Sequence, residues 1–172
     1  MTRLFTLLRS EERGVAVIEF AMLSLFFFVI VSVALDFAMY INYRQRLGTA
    51  VEQGGVIAFN SRKASSIDLA AITNYVKATS DLPGDGATVT LRCNGDNSCA
   101  TDMTANDLQC ACWNADHGAF DVLTPCDGTC AAGGAPGYYM TVRASYDYTS
   151  MIVPDRWLDG RNMKQSVTVK LQ

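Results

Sequence analysis

The sequence is short of the residue types on which nucleic-acid binding and catalysis most often depend. Positive charge is scarce, with 14 Lys+Arg against 17 Asp+Glu and a formal net charge of -3. Because no basic stripe is present to hold a polyphosphate backbone, we expect no nucleic-acid partner. The single histidine, His117, has no evident partner motif, so we expect a solvated loop residue, no enzyme activity and no cofactor. No C-x-x-C pair is present, which leaves a redox-active thiol pair without support.

Charge is also missing from one long apolar run. The residues from Phe20 to Leu35 include no charged side chain, and the apolar stretch as a whole extends from Val15 to Ile41. As a helix it is about 40 Å long at ~1.5 Å per residue, which is enough to cross a bilayer. It lacks the regularly spaced polar face of a helix in a soluble protein. The pattern therefore predicts a transmembrane helix over residues 15–41.

The start of the chain allows three interpretations. Ser32-Val33-Ala34 has the small-x-small form that signal peptidase accepts, which would make the apolar run a secretory signal. The run is long for such a signal, however, and it contains an acid, Glu19. We therefore favour a short hydrophilic leader, residues 1–14, that is removed on the cytoplasmic side of the membrane. An uncut anchor is the third interpretation.

Glu19 needs an explanation because an ionised carboxylate inside a bilayer costs about 3 kcal/mol or more. Cleavage after Gly14 would give Val15 a free α-ammonium four residues from Glu19, on the same face of the helix. Glu19 could then pair with that ammonium or with the ammonium of a neighbouring copy, and so set the axial register of a helix bundle. The alternative is that Glu19 lies near the interface and only extends its carboxylate toward water.

Gly14, four apolar residues, Glu19 and Phe20, after a short charged leader, resemble the type IV prepilin class. The form RGVAVIEFAML is most similar to the TadE-like pseudopilins of the tight-adherence (Tad) pilus, and the last third of the chain also resembles that family. The resemblance implies that a prepilin peptidase cuts the Gly14–Val15 bond and that Glu19 and Phe20 form the motif for processing and assembly. It further implies a non-enzymatic minor pseudopilin or assembly subunit of an adhesive Tad (Flp-type) pilus of bacteria. Its partners would be other pilins or pseudopilins, an inner-membrane platform and an export ATPase.

Cysteine is concentrated in one segment, residues 93–130, which holds six: Cys93, Cys99, Cys110, Cys112, Cys126 and Cys130. An even number in a compact, loop-rich region predicts three disulfides and an oxidising compartment, although the spacing does not choose the pairing. Basic residues flank the apolar run on both sides, so the cysteines decide the orientation. We expect a single-pass protein of the inner membrane with its N-terminus in the cytoplasm and its C-terminal domain in the periplasm or outside.

A metal site is the alternative for the cysteine segment. Cys110, Cys112, Cys126 and Cys130 could supply four thiolates to zinc, although their C-x-C spacing is tighter than that of a usual zinc knuckle. The chain would then be a membrane-tethered or secreted binding module with a metal or ligand site in the cysteine-rich lobe. Calcium has less support, because the acids of this segment fit no calcium-binding loop; these are Asp96, Asp102 and Asp107.

The remaining chain predicts an α+β domain over residues 42–172. The first helix continues beyond the membrane, and Gly54-Gly55 is expected to kink or end it. A second helix is predicted at 66–80, with Ser65 as its N-cap. Alternating patterns predict strands at 87–93, 138–150 and 163–171, which suit an antiparallel sheet with one buried face.

The fold class is thus an N-terminal transmembrane helix followed by a pilin-like domain with an antiparallel sheet and a cysteine-rich loop lobe. Four tyrosines on the second strand allow two interpretations, packing of the sheet or a sticky adhesive face, of which we favour packing; they are Tyr138, Tyr139, Tyr146 and Tyr148.

Overall fold

The longest element is helix α1, Glu12–Asn60, of 49 residues. The computed structural model describes residues 12–95, 98–102, 109–114, 116, 118–123, 126, 128–131, 133–150 and 162–172. Helix α1 contains the whole predicted membrane segment and continues into the domain without interruption. The predicted end at Gly54-Gly55 is therefore wrong.

Helix α2, Leu69–Ser80, follows a 3₁₀ turn at Ser61–Lys63. Its N-cap is Asp68, whose carboxylate accepts a hydrogen bond of 2.9 Å from the backbone N–H of Ala71. Ser65 is therefore the wrong cap, and the helix starts later than predicted. The reason is a tertiary contact: the N–H of Ile67 donates to the carbonyl of Thr101, which holds this part of the chain extended. Asp81, in the left-handed conformation with φ 43°, ends the helix.

The main sheet has three antiparallel strands in the order β1-β4-β5. Their bounds are β1 Thr88–Cys93, β4 Tyr139–Asp147 and β5 Asn162–Lys170. Val142, in the central strand, lies opposite Leu91 of β1 and Val167 of β5. The predicted α+β class and the predicted antiparallel sheet are confirmed, with strand ends that differ from the predicted ones by one residue in the outer strands.

The core lies between this sheet and the two helices. Helix α1 contacts α2, β4 and β5, while α2 also contacts β1. The buried residues include Leu47, Ala50, Val51 and Ala58 of α1, Ile72 and Val76 of α2, and Met140, Val142 and Ala144 of β4.

Gly54 and Gly55 lie where α1 closely approaches α2 and β5. A Cβ at Gly54 would be 2.5 Å from Cγ2 of Val76, and one at Gly55 would be 2.8 Å from Cγ1 of Val167. The sequence analysis expected this pair to kink or end the helix, because glycine disfavours helix by about 1 kcal/mol. In the structure the pair instead lets the helix pack against its neighbours at short range.

A second, two-stranded sheet lies in the cysteine-rich segment, which the sequence analysis treated as loops. Its strands are β2, Cys110–Asn114, and β3, Ala119–Leu123, paired antiparallel. Ala111 and Gly137 join this hairpin to the main domain by two backbone hydrogen bonds of 2.8 and 2.9 Å. The loop prediction is wrong here, because short strands rich in cysteine and flanked by turn residues carry little alternation of their own.

Candidate functional site: the membrane anchor and its junction with the domain

The first part of α1 stands clear of the domain. From Val15 to Leu35 its large apolar side chains are exposed, for example Phe20 at 72% and Phe28 at 66%, except that Val33 is partly buried against the core. This stretch is about 32 Å long at ~1.5 Å per residue, close to the ~30 Å of a bilayer's hydrocarbon core. Helix α1 is long and apolar enough to cross a membrane, and no residue in its most apolar 18-residue segment is buried. One apolar helix near the N-terminus thus indicates a membrane anchor.

The environment of α1 changes at Asp36, which is 1% exposed. The hydroxyl of Tyr148 lies 3.2 Å from both the carboxylate Oδ1 and the backbone carbonyl of Asp36, and donates to this pair of acceptors. Burial, and then the hydrogen bond to Asp36, raises the pKa of Tyr148 to about 12. The hydroxyl therefore stays protonated at neutral pH and remains a donor.

A cluster of aromatic rings surrounds this pair. The ring of Tyr148 lies 5.6 Å from that of Tyr40 and 5.9 Å from that of Tyr43, which is in turn 6.0 Å from Tyr146. These contacts join two turns of α1 to the end of β4. Tyr146 and Tyr148 thus pack between sheet and helix, which favours the packing interpretation over the adhesive one. The anchor and the domain are joined through packed side chains rather than a linker.

Tyr138 and Tyr139, the other two of the four tyrosines on the predicted second strand, also take part in packing. Tyr138 is 3% exposed, and its hydroxyl accepts a 2.7 Å hydrogen bond from the N–H of Ala100. Burial raises the pKa of Tyr138, and the backbone hydrogen bond opposes that change. The half-buried ring of Tyr139 lies 5.0 Å from Phe120 of the hairpin. Tyr138 and Tyr139 therefore connect the main sheet to the cysteine-rich lobe.

Sequence reasoning missed Asp36 as a functional residue. Asp36 lies near the end of the apolar run from Val15 to Ile41, and the sequence analysis gave it no role and no partner. The sequence did contain a signal. Asp36 is an acid near the end of the apolar run, and it precedes Tyr40 and Tyr43 at helical spacing. Such an acid marks a change in the environment of the helix. The partner itself could not be found this way, since Tyr148 is 112 residues further along the chain.

The predicted cleavage site lies near the start of the described chain. Gly14 and Val15 are in the first turns of α1 and exposed, and a Cβ at Gly14 would meet no atom within 4 Å. Glu19 is exposed on the same helix, next to the exposed ring of Phe20. Cleavage and the role of Glu19 remain predictions, and most of the leader, residues 1–11, lies outside the described residues.

All six cysteines are paired as disulfides in the structure. The pairs are Cys93–Cys99, Cys110–Cys126 and Cys112–Cys130. The last two interleave along the chain and tie Cys126 and Cys130 to strand β2. The prediction of disulfides in this segment is confirmed. The four thiolates that the zinc alternative needs are all used in sulfur–sulfur bonds.

The lone histidine and the aspartates considered for calcium lie mostly outside the residues that the structure describes. His117, Asp96 and Asp107 lie outside the described residues. Asp102 is exposed and forms an isolated antiparallel bridge with Ser66 at the base of α2. This bridge gives Asp102 a structural position beside the start of the helix.

The geometry of α1 agrees with a comparison to known families. Residues 14–55 match the family model described as TadE-like protein. The TadE-like resemblance is confirmed over this segment, which begins at Gly14 and includes the exposed anchor, Asp36 and Gly54-Gly55. TadE-like proteins are a structural, pilus-related kind of protein, so the match indicates association with a Tad pilus and its components. No curated protein and no solved structure matches the chain.

Proposed function

We propose that this chain is a minor TadE-like pseudopilin or assembly subunit of an adhesive Tad pilus, and not an enzyme. The exposed apolar half of α1 is the observation that carries the proposal, because it begins directly after the prepilin-like motif at Gly14. Its length suits one crossing of the bacterial inner membrane. The domain would then lie in the periplasm or outside the cell, where its three disulfides persist.

In this proposal the domain begins to cover one side of α1 before the predicted end of the membrane segment at Ile41. Asp36 is buried against Tyr148, and Met39 and Tyr40 pack against the core. From Asp36 onward the domain therefore covers one side of α1, whereas Phe37 and Ile41 on its other sides remain 38% and 51% exposed. The domain would rest directly on the membrane surface, held at a defined height by the junction.

Processing by a prepilin peptidase at Gly14–Val15 is the chemical event that the proposal requires. The peptidase supplies the catalysis, and this chain is its substrate. Removal of residues 1–14 would create an α-ammonium at Val15, one helical turn from Glu19. The other partners would be pilins or pseudopilins, the inner-membrane platform and the export ATPase.

Intact-mass analysis and N-terminal sequencing of the protein from its native membrane test the proposal. A chain that starts at Val15 supports it. A chain that starts at Leu35 would instead support the secreted binding module. That outcome is compatible with the fold, since a cut after Ala34 would leave Asp36 and the whole junction in place.

Two variants separate trimming from assembly. Gly14→Leu should block trimming, because a bulky side chain obstructs the approach of the peptidase, and the band on a gel should not shift. Glu19→Ala should be trimmed almost normally but enter the pilus machinery poorly. Normal pilus output from Glu19→Ala would remove the proposed register role of that carboxylate.

A further inference from the structure

A groove on the domain begins where the exposed apolar face of α1 ends. It has a volume of about 440 Å³ and runs along α1 beside strand β5. Tyr40 and Ile41 form the end nearest the proposed membrane, and Glu52 forms the far end. The lining residues between these ends are polar or small; they are Arg44, Gln45, Gly48 and Thr49 of α1 and Gln165 of β5. We call it the β5 groove.

The apolar surface of the anchor continues directly into this groove. Phe37 and Ile41 are exposed, and Arg44 follows them at helical spacing, so the three side chains share one face of α1. On this face the helix is therefore open to lipid as far as Ile41, and a cation follows the last apolar side chain.

The depth of Arg44 follows from the length of this apolar face. From Phe20 to Ile41 the helix rises about 32 Å at ~1.5 Å per residue, which matches the ~30 Å hydrocarbon core of a bilayer. Arg44 is a further ~4.5 Å along the helix, within a headgroup layer that adds about 5–8 Å on each side. The guanidinium is therefore level with lipid phosphates, to which arginine donates charge-assisted hydrogen bonds.

The two charges of the β5 groove are separated along its length. Glu52 lies about 12 Å beyond Arg44 along α1, so the groove is positive at its membrane end and negative at its outer end. Both side chains are exposed, and neither forms an ion pair with any residue that the structure describes. A complementary ligand carries its negative group next to the membrane and its positive group farther out. A zwitterionic phospholipid has this order, because its phosphate lies next to the glycerol and its ammonium at the tip of the headgroup.

We propose that the β5 groove binds one zwitterionic phospholipid of the ethanolamine class, from the leaflet that faces the domain. An acyl chain lies along Phe37 and Ile41, where it covers exposed apolar surface. The phosphate accepts hydrogen bonds from Arg44, and the primary ammonium extends toward Glu52, to which it donates. This inference rests on the membrane anchor of the proposed function.

Two other occupants fit the groove less well. An anionic phospholipid such as phosphatidylglycerol can place its phosphate on Arg44 but brings no cation to Glu52. An acidic protein segment meets the same carboxylate at the outer end, and it has to displace headgroups to reach the depth of Arg44. The ammonium is therefore the group that distinguishes the proposed ligand.

Gly48 offers a way to close the groove without altering its charges. A Cβ at Gly48 would meet its nearest atom, Cδ of Gln165, at 4.0 Å, which is ordinary contact. A larger side chain can therefore enter the groove without a clash at its Cβ. Gly48→Leu is thus a blocking variant that keeps both Arg44 and Glu52.

Native mass spectrometry of the full chain tests the inference. The protein is reconstituted in vesicles of phosphatidylethanolamine and phosphatidylglycerol in equal amounts and extracted in a mild detergent, and the lipids that stay bound are identified. We expect one phosphatidylethanolamine per chain. Exchange of the two charges, Arg44→Glu together with Glu52→Arg, should reduce this adduct about tenfold, equivalent to ~1.4 kcal/mol, although the net charge of the groove is unchanged.

Three further variants complete the test. Gly48→Leu should reduce the adduct as strongly as the charge exchange does. Glu52→Gln should retain the two lipids about equally, because the preference for the ammonium is lost. Lys77→Glu, a charge reversal at an exposed site on α2, should leave the adduct unchanged.

The lipid site is overturned if the unmodified protein retains no lipid, if it retains the two lipids equally, or if the charge exchange leaves the adduct intact. Oligomers of the chain without bound lipid would likewise contradict it. Resistance to alkaline carbonate extraction is measured on the same vesicles. A protein that resists extraction but shows one of those patterns contradicts the lipid site and leaves the anchor standing. Release by carbonate contradicts the anchor, and the lipid site with it.

Discussion

The two halves of helix α1 have the same backbone and opposite surroundings. Between Val15 and Leu35 the helix exposes apolar side chains on every face, whereas beyond Asp36 it buries one face completely, with Leu47 and Ala50 at 0% exposure. The first half has few polar residues, namely Glu19, Ser24 and Ser32, and the second carries Arg44, Gln45 and Glu52 on its outer side. The comparison shows that the distribution of polarity around a helix, rather than its helical propensity, decides whether the helix packs against the rest of the protein.

Truncating one leucine in each half should give the largest contrast. Leu47→Ala removes a fully buried side chain and should lower the free energy of unfolding by about 2–5 kcal/mol. Leu25→Ala, in the exposed half where Leu25 is 68% exposed, should leave it unchanged. Denaturant unfolding in detergent micelles, followed by near-ultraviolet circular dichroism, measures both. Equal losses would mean that the domain also depends on the first half.

Glycine substitutions sharpen the comparison within the second half. Gly54→Ala places a Cβ 2.5 Å from Val76 Cγ2 and should cost about 1–3 kcal/mol through overpacking. Gly48→Ala meets its nearest atom, Cδ of Gln165, at 4.0 Å and should gain up to about 1 kcal/mol in helix propensity. Thermal unfolding of the two variants should therefore move in opposite directions. A stabilised Gly54→Ala variant would show that the layers are less closely packed than described.

Removal of a single oxygen atom should weaken the junction between the two halves of α1. Tyr148→Phe removes the hydroxyl that lies 3.2 Å from Asp36, and should cost about 1–3 kcal/mol because a buried carboxylate loses a donor. The control is Tyr75→Phe, which removes an exposed hydroxyl that donates to Gln53 at 3.1 Å. Its effect should stay within about 0.5 kcal/mol. Equal effects would remove the special role of the junction.

The same hydroxyl predicts a pH dependence. Its pKa is raised from 10.0 to about 12 in the folded protein, so its stabilising contribution is complete below pH 10 and is lost as the pH rises toward 12. Burial also raises the pKa of Tyr138 and of Tyr146, so their loss of stability overlaps with that of Tyr148. Tyr148→Phe should therefore make the alkaline decline shallower than in the unmodified protein. If the stability of Tyr148→Phe and that of the unmodified protein fall equally steeply with rising pH, the raised pKa does not belong to the Tyr148 hydroxyl.

The smallest effect is expected at the surface of the second half. Arg46 and Asp81 form an ion pair at 3.2 Å with side chains that are 47% and 86% exposed. Arg46→Ala should change the free energy of unfolding by less than about 1 kcal/mol, because solvent screens the pair. A loss of unfolding free energy as large as that of Leu47→Ala would show that the ion pair is needed to hold α2 against α1.

Local patterns predicted much of the architecture. The strands at 87–93 and 163–171 were found within one residue of β1 and β5, because each alternates between a buried and a solvated face. The disulfides followed from an even cysteine count in a loop-rich segment. The same local reasoning failed at Gly54-Gly55 and at Ser65, where contacts with distant parts of the chain overrode propensity.

The sequence by itself determined the anchor, the class of the domain and the TadE-like motif, because uniform apolarity, alternation and short motifs are properties of neighbouring residues. Tertiary structure decided where α1 begins to pack against the domain, which cysteines pair and why two glycines interrupt no helix. Each of those outcomes depends on residues far apart in sequence, such as Asp36 and Tyr148, that meet only once the sheet has packed against α1.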